Sequence, residues 1–237
     1  MIRLGMLTPS SNTALEPATA ALTAQLPGVT AHFSRFPVTE IALSDSALGQ
    51  FDAGPILQAA DLLAHARVDA IAWNGTSASW LGFDRDETLA AEIRRRTGIP
   101  ATTAILALNT LLQRLQARRI AIVTPYTGDV QARIIGNYRS RGLDCIAERH
   151  AGLRDNFSFA ALPAETLEDF LLSVAADKPD AIAVICTNMD ATRLAPVIEA
   201  RTGIPVLDSI ACTLWGMLDL LRIDKAPLRD SGRLFSL

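Results

Sequence analysis

Short apolar runs alternate along the chain with longer amphipathic segments. Arg3–Thr8, Ala70–Trp73, Ile120–Thr124 and Ala181–Ile185 are near-continuous apolar runs that end in Gly, Pro, Asn, Ser or Thr. Such runs suit strands buried on both faces of a parallel sheet, where neither face meets water. Ile56–Ala66, Ala104–Leu115 and Leu167–Ala176 instead space their apolar residues three to four apart. That period predicts helices with one buried face. Strands alternating with helices predict an α/β fold with parallel sheets.

The pattern also repeats. Asp69-Ala-Ile-Ala-Trp-Asn-Gly75-Thr76 aligns with Asp180-Ala-Ile-Ala-Val-Ile-Cys186-Thr187, and Arg96-Thr-Gly-Ile-Pro100 recurs as Arg201-Thr-Gly-Ile-Pro205. Arg3-Leu-Gly-Met-Leu-Thr-Pro9 echoes Arg119-Ile-Ala-Ile-Val-Thr-Pro125. Three landmarks in one order, with small length differences between them, predict two pseudo-symmetric Rossmann-like α/β domains. The repeat divides the chain into a first domain of residues 1–101 plus 208–237 and a second of residues 102–207.

In open parallel sheets, ligands sit beyond the carboxyl ends of the strands. Four such ends are identified: Thr8–Thr13, Asn74–Ser79, Thr124–Gly128 and Cys186–Asn188. They carry hydroxyl, amide and thiol groups and no Lys, Arg or His. Cys186 is the leading chemical candidate. It follows an apolar strand, and a helix N-terminus at that turn would lower its thiol pKa and supply N–H donors. The plainer reading is a small buried hydrophobe, the usual fate of a cysteine and the reading taken for Cys145 and Cys212. Thr76, Ser77 and Tyr126, with Ser10, Ser11 and Asn12 from the first loop, offer neutral donors to an anion. Singly, each is as well explained as a helix cap. Gly75 stands where the other half has Cys186, so the two halves differ chemically. Trp73, Trp80 and Met189 lie near these loops and fit a hydrophobic pocket or ordinary core.

Composition narrows the function classes. The 237 residues are 49% hydrophobic and 20% charged, with a formal net charge of −3. A nucleic-acid groove normally needs a basic face, and the only basic runs are Arg94-Arg95-Arg96 and Arg118-Arg119, which suit solvated helix ends. No apolar stretch approaches the ~18 residues of a membrane span, and the N-terminus lacks a signal-peptide pattern. Three cysteines without a CxxC pair, and three scattered histidines, argue against disulfides and a metal site. GxGxxG, Walker and GxSxG patterns are absent. The expectation is a cytoplasmic protein with no cofactor, no metal and no nucleic-acid or membrane partner, whose ligand is a small carboxylic or dicarboxylic acid. Homo-oligomer formation is left open.

Set side by side, these loops resemble the aspartate/glutamate racemase superfamily, cofactor-independent enzymes with two α/β domains around one active site. Gly75-Thr-Ser with a single Cys186, Tyr126 after Thr-Pro, and Gly232-Arg-Leu-Phe235 are similar to the arylmalonate decarboxylase branch. That likeness implies that Thr76, Ser77, Tyr126 and the N–H groups of Cys186 and Thr187 hold an enediolate, with Cys186 delivering the proton. Pro9-Ser-Ser-Asn12-Thr and Asp155-Asn156-Phe157 resemble the maleate cis–trans isomerase branch, which implies substrate carboxylate binding by Asn12 and Asn156. That branch and the racemases use one cysteine per half, and here the first is Gly75.

Racemisation needs a base and an acid on opposite faces of one carbon. A single thiol serves one face. Decarboxylation needs no base, because loss of CO₂ generates the carbanion equivalent; it needs a donor pocket, a water-poor site and one acid. The expected function is therefore a cofactor-independent decarboxylase of a malonate-like or related small dicarboxylic acid. The alternatives are a maleate isomerase or Asp/Glu-type racemase, and a small-acid binding protein without catalysis.

Overall fold

The computed structural model describes residues 1–43, 50 and 52–237. Two four-stranded, fully parallel sheets carry helices on their faces. The first sheet runs β2-β1-β3-β4, from β1 (Ile2–Pro9), β2 (Val29–Phe36), β3 (Ala70–Trp73) and β4 (Ala101–Thr103). The second runs β6-β5-β7-β8, from β5 (Arg119–Thr124), β6 (Asp144–His150), β7 (Ala181–Val184) and β8 (Val206–Asp208). The two orders are the same, so the sequence repeat is a structural one. β3 and β7 are buried at every position, as their unbroken apolar runs require.

In chain order the described helices are α1 (Leu15–Thr23), α2 (Ala53–His65), α3 (Ala78–Leu81), α4 (Asp84–Thr97), α5 (Ala104–Arg114), α6 (Gly128–Ser140), α7 (Ala164–Ala175), α8 (Ala195–Thr202) and α9 (Ser209–Leu220). The repeated motifs now have local causes. Arg-Thr-Gly is a helix end: Gly98 and Gly203 close α4 and α8 with φ of 73° and 74°, a left-handed conformation that favours glycine. The repeated aspartates brace strand starts, Asp69 accepting from Arg3 N at 2.7 Å and Asp180 from Arg118 N and Arg119 N at 2.8 Å. Helix α4 places Asp84, Asp86 and Glu87 in its first turn and Arg94–Arg96 in its last, matching the helix dipole. Arg118 and Arg119 lie instead in the link before β5 and at its first residue, exposed to solvent.

After β2 the chain crosses to the second half. Asn156 N donates to Thr39 O at 3.0 Å, Ile41 N donates to Arg154 O at 3.0 Å, and Glu40 bridges Asp155. These bonds lay the 37–41 segment over the carboxyl ends of both sheets. Helix α9 packs on α5 and against β3, β4 and α1 of the first sheet.

Candidate active site

All four strand-end loops reach one small buried cleft. Pro9, Gly75, Thr76, Ser77, Tyr126, Cys186 and Thr187 line it, with Asn156, Val38, Ile41, Trp73 and Trp80. Its free volume is about 20 Å³, room for a single water. Larger cavities exist among the described residues, one of about 560 Å³ lying between α5 and α6. That one is lined by no thiol and no carboxylate, so size alone does not mark the chemistry.

Cys186 is 2% exposed, and its sulfur accepts from Asn188 N at 3.3 Å. The expected helix N-terminus is not there. The chain after β7 makes irregular turns, and α8 begins only at Ala195. With no helix dipole to favour the thiolate, burial dominates and pushes the thiol up to about 12, against smaller opposing effects from Tyr126 and the Asn188 N–H. Cys186 is therefore a thiol at neutral pH, equipped to give a proton rather than to attack as a thiolate.

Gly75 is buried in the same cleft, and its φ lies outside the left-handed region, so the backbone accepts a side chain. The space does not. An ideal Cβ on Gly75 would stand 1.8 Å from Cζ2, 2.2 Å from Cε2 and 2.5 Å from Cη2 of Trp73. The indole occupies the volume that a first-half thiol would fill. A cysteine at 75 is therefore not accommodated as the repeat alone suggests.

The polar wall is built of hydroxyls and backbone. Thr76 Oγ1 and Tyr126 OH share a hydrogen bond of 2.8 Å, and the Tyr126 hydroxyl also interacts with Cys186. Tyr126 stays protonated, because burial and then the neighbouring thiol oppose its ionisation. Ser77 and Asn156 line the cleft, and Asn156 Nδ2 donates to Ser11 Oγ at 2.7 Å. Thr187 Oγ1 donates to Asn74 O at 2.8 Å. Among the described residues, the backbone N–H groups of Thr76, Ser77, Cys186 and Thr187 have no hydrogen-bond acceptor. Buried N–H groups are rarely left so, and four of them on two facing loops suit an anion.

Known proteins place this geometry. A profile of the arylmalonate decarboxylase family matches residues 4–235. The chain belongs to that family. It is 29% identical to the arylmalonate decarboxylase of Bordetella bronchiseptica over 164 residues, 68% of each chain. It is also 25% identical to the maleate isomerase of Pseudomonas putida over 238 residues, covering 94% of this chain and 93% of the other. Among solved structures, a Pseudomonas putida maleate isomerase, a cysteine-to-alanine variant with maleate, superposes with a TM-score of 0.90. It shares 27% identity over 99% of this chain and 97% of its own.

Within this arylmalonate decarboxylase family member, three residues named from the first loop, Ser10, Ser11 and Asn12, are not among those lining the cleft, Ser11 Oγ donating to Val38 O at 2.6 Å. Asn12 does not line the cleft: its Oδ1 accepts from Ala14 N and Leu15 N at the start of α1, and its Nδ2 donates to Thr187 O at 3.0 Å. The carboxamide joins the two halves and reaches the cleft through Thr187, which it holds by its backbone oxygen and its hydroxyl. Ser10 Oγ is exchanged with Val38 backbone, donating to its O at 3.3 Å and accepting from its N at 3.2 Å. Met189 is buried but is not among the residues lining the cleft, whereas Trp73 and Trp80 are. Asn188, not singled out from sequence, mirrors Asn12: its Oδ1 accepts from Thr13 N at 2.9 Å and Ala14 N at 3.1 Å, and its Nδ2 donates to Asn156 O. Val38 and Ile41 were missed as well. Their signal is only an apolar spacing after β2, which any covering segment would share. No described helix is long and apolar enough to cross a membrane.

Proposed function

We propose that this chain is a cofactor-independent decarboxylase of a malonate-like small dicarboxylic acid. The observation that carries the reading is the asymmetry of the cleft. A single protonated thiol, Cys186, faces a polar wall, and the equivalent place in the other half holds an indole over Gly75. One carboxylate of the acid lies against the N–H groups of Thr76, Ser77, Cys186 and Thr187 and the hydroxyls of Thr76, Ser77 and Tyr126. The other points at the apolar wall of Val38, Ile41 and Trp80, where water is scarce. The bond between the α carbon and that carboxylate breaks, CO₂ leaves, and the electron pair passes into an enediolate held by the donors. Cys186 Sγ–H then gives its proton to the α carbon, and the thiolate regains one from water as product departs. Asn156 lines the site beside Thr187 and positions its edge. The domain division, with residues 102–207 as the second unit, is part of this proposal; α9 returns to the first sheet but packs chiefly on α5, and β4 and β8 each run across a boundary.

The second reading, a maleate isomerase, is favoured by the greater share of the chain that the isomerase relatives cover. NMR of the protein with methylmalonate or phenylmalonate, and separately with maleate, separates the two readings, with chelator present because the proposal invokes no metal. CO₂ release and an α-protonated monoacid support decarboxylation, and fumarate without CO₂ overturns it. Cys186→Ala should lower turnover ~10²–10⁴-fold, the usual cost of a positioned acid. Activity within a few-fold of the parent would remove Cys186 from the role.

A further inference from the structure

The wall opposite Cys186 is closed by one large side chain. Trp73 is 1% exposed and wedged between Gly75 and Phe36, whose ring centroid lies 5.0 Å away at an interplanar angle of 48°. Its indole also lines a second cavity of about 340 Å³, floored by Ala53 and Ile56 of α2, Leu81 of α3 and Leu89 of α4. Among the described residues, only Trp73 and Ser77 line both spaces. Ser77 offers a single hydroxymethyl group. The indole is the partition.

We propose that Trp73 sets the size of the α substituent that the cleft admits, and so restricts this chain to malonates bearing hydrogen or a small alkyl group. The inference rests on the reading of the cleft as a site for small acids. With the indole in place, a substituent directed away from Cys186 meets a buried ring backed by a second ring. With the indole removed, it enters a cavity whose near wall is aliphatic. Asp52, Asp84, Asp86 and Glu92 also line that cavity against one cation, Arg85, so on balance the enlarged site favours a neutral alkyl or aryl group over another carboxylate.

The test compares the parent protein with Trp73→Leu and with Trp73→Phe, which keeps an aromatic contact to Phe36 if the leucine variant fails to fold. Substrates are methylmalonate, phenylmalonate and 2-naphthylmalonate, read as kcat/KM. The matching monoacids propionate, phenylacetate and 2-naphthylacetate are read as Kd. The parent should favour methyl over naphthyl by at least tenfold, and the variant should shift that ratio at least tenfold toward the larger group. A parent that handles methyl and naphthyl acids alike overturns the inference without any variant, as does a folded variant whose ratio moves less than threefold. If no malonate is turned over but the Kd ratio shifts as expected, the decarboxylase reading fails and the role of Trp73 stands. If no acid binds either protein, both fall.

Discussion

Gly75→Cys is the substitution that the internal repeat invites, and the structure assigns it a cost. The new Cβ would overlap three ring atoms of Trp73, the nearest at 1.8 Å, and the ring cannot swing freely because it is buried against Phe36. Forcing atoms into a packed interior costs typically ~1–3 kcal/mol, and an overlap this deep belongs at the upper end. In a chain of this size that corresponds to a fall in Tm of about 5–10 °C. Trp73→Ala alone should cost ~3–5 kcal/mol by leaving a cavity. Combined, the two changes relieve each other, since the thiol enters the space that the indole leaves. The double variant should therefore be more stable than the sum of the single losses by about 2 kcal/mol. Denaturant unfolding of all four proteins measures the coupling. Only the double variant should place a thiol on each face of the substrate carbon, so it alone should exchange the α-hydrogen of a single-enantiomer product acid in D₂O. Additivity within ~0.5 kcal/mol, or a Gly75→Cys protein as stable as its parent, would refute the position given to the indole.

Three further outcomes follow from the charge state and the bonds of the site. Because burial holds Cys186 as a thiol up to about 12, turnover should show no rise between pH 7 and 10 of the kind a reactive thiolate would produce; a rate growing tenfold per pH unit would contradict a proton-donating role. Asp86 and Asp208 are buried carboxyls pushed up to about 7, chiefly by desolvation. The folded state then holds protons that the unfolded state has lost, so their contribution is complete below pH ~4 and is lost as pH rises through about 7, at up to ~1.4 kcal/mol per pH unit for each group. Asp86→Asn should flatten that fall in urea titrations between pH 4 and 8, and an unchanged slope would count against it. Asn188→Ala strips the acceptor from Thr13 N and Ala14 N and the donor to Asn156 O. It should cost ~2–4 kcal/mol and weaken acid binding, and a loss below ~0.5 kcal/mol would mean that the join is not structural.

The central strands were readable because burial on both faces leaves a continuous apolar run, which places β1, β3, β5 and β7 within a residue or two of their observed ends. The outer strands were not. β2 and β6 lie at sheet edges with half-buried, mixed sequences such as Thr30-Ala-His-Phe-Ser-Arg35, and β4 and β8 are three residues long, too short to hold a period. At the site, Thr76, Ser77, Tyr126, Asn156, Cys186 and Thr187 were all identifiable from strand ends and family likeness, and the fold gathers them around one cleft. Asn12 joins the two halves in this structure, and in sequence a side chain that joins two domains looks like one that binds a ligand. The burial of Cys186 was legible, but the lack of a helix behind it was not, since Thr187-Asn188 caps a turn here rather than a helix.

The repeat makes the two halves start from the same geometry, so their differences mark where function was specified. Both loops follow a buried strand, both leave backbone N–H groups open, and both present a hydroxyl residue next to the divergent position, Thr76 beside Gly75 and Thr187 beside Cys186. Three consecutive positions differ, Trp73, Asn74 and Gly75 against Val184, Ile185 and Cys186, and the outer two bear on the space at the cleft. In the first half Trp73 fills the space that a side chain at 75 would need, whereas the second half carries the smaller Val184 two residues before Cys186. Removing the thiol alone would have left a gap able to hold water, which would hydrate a departing carboxylate and slow its loss. Filling the gap with an indole removes the second proton donor and dries that face in one step. Trp73 and Gly75 are thus a single structural difference made at two positions, and on the decarboxylase reading proposed above this pair, together with the lone thiol of Cys186, should favour one-sided protonation.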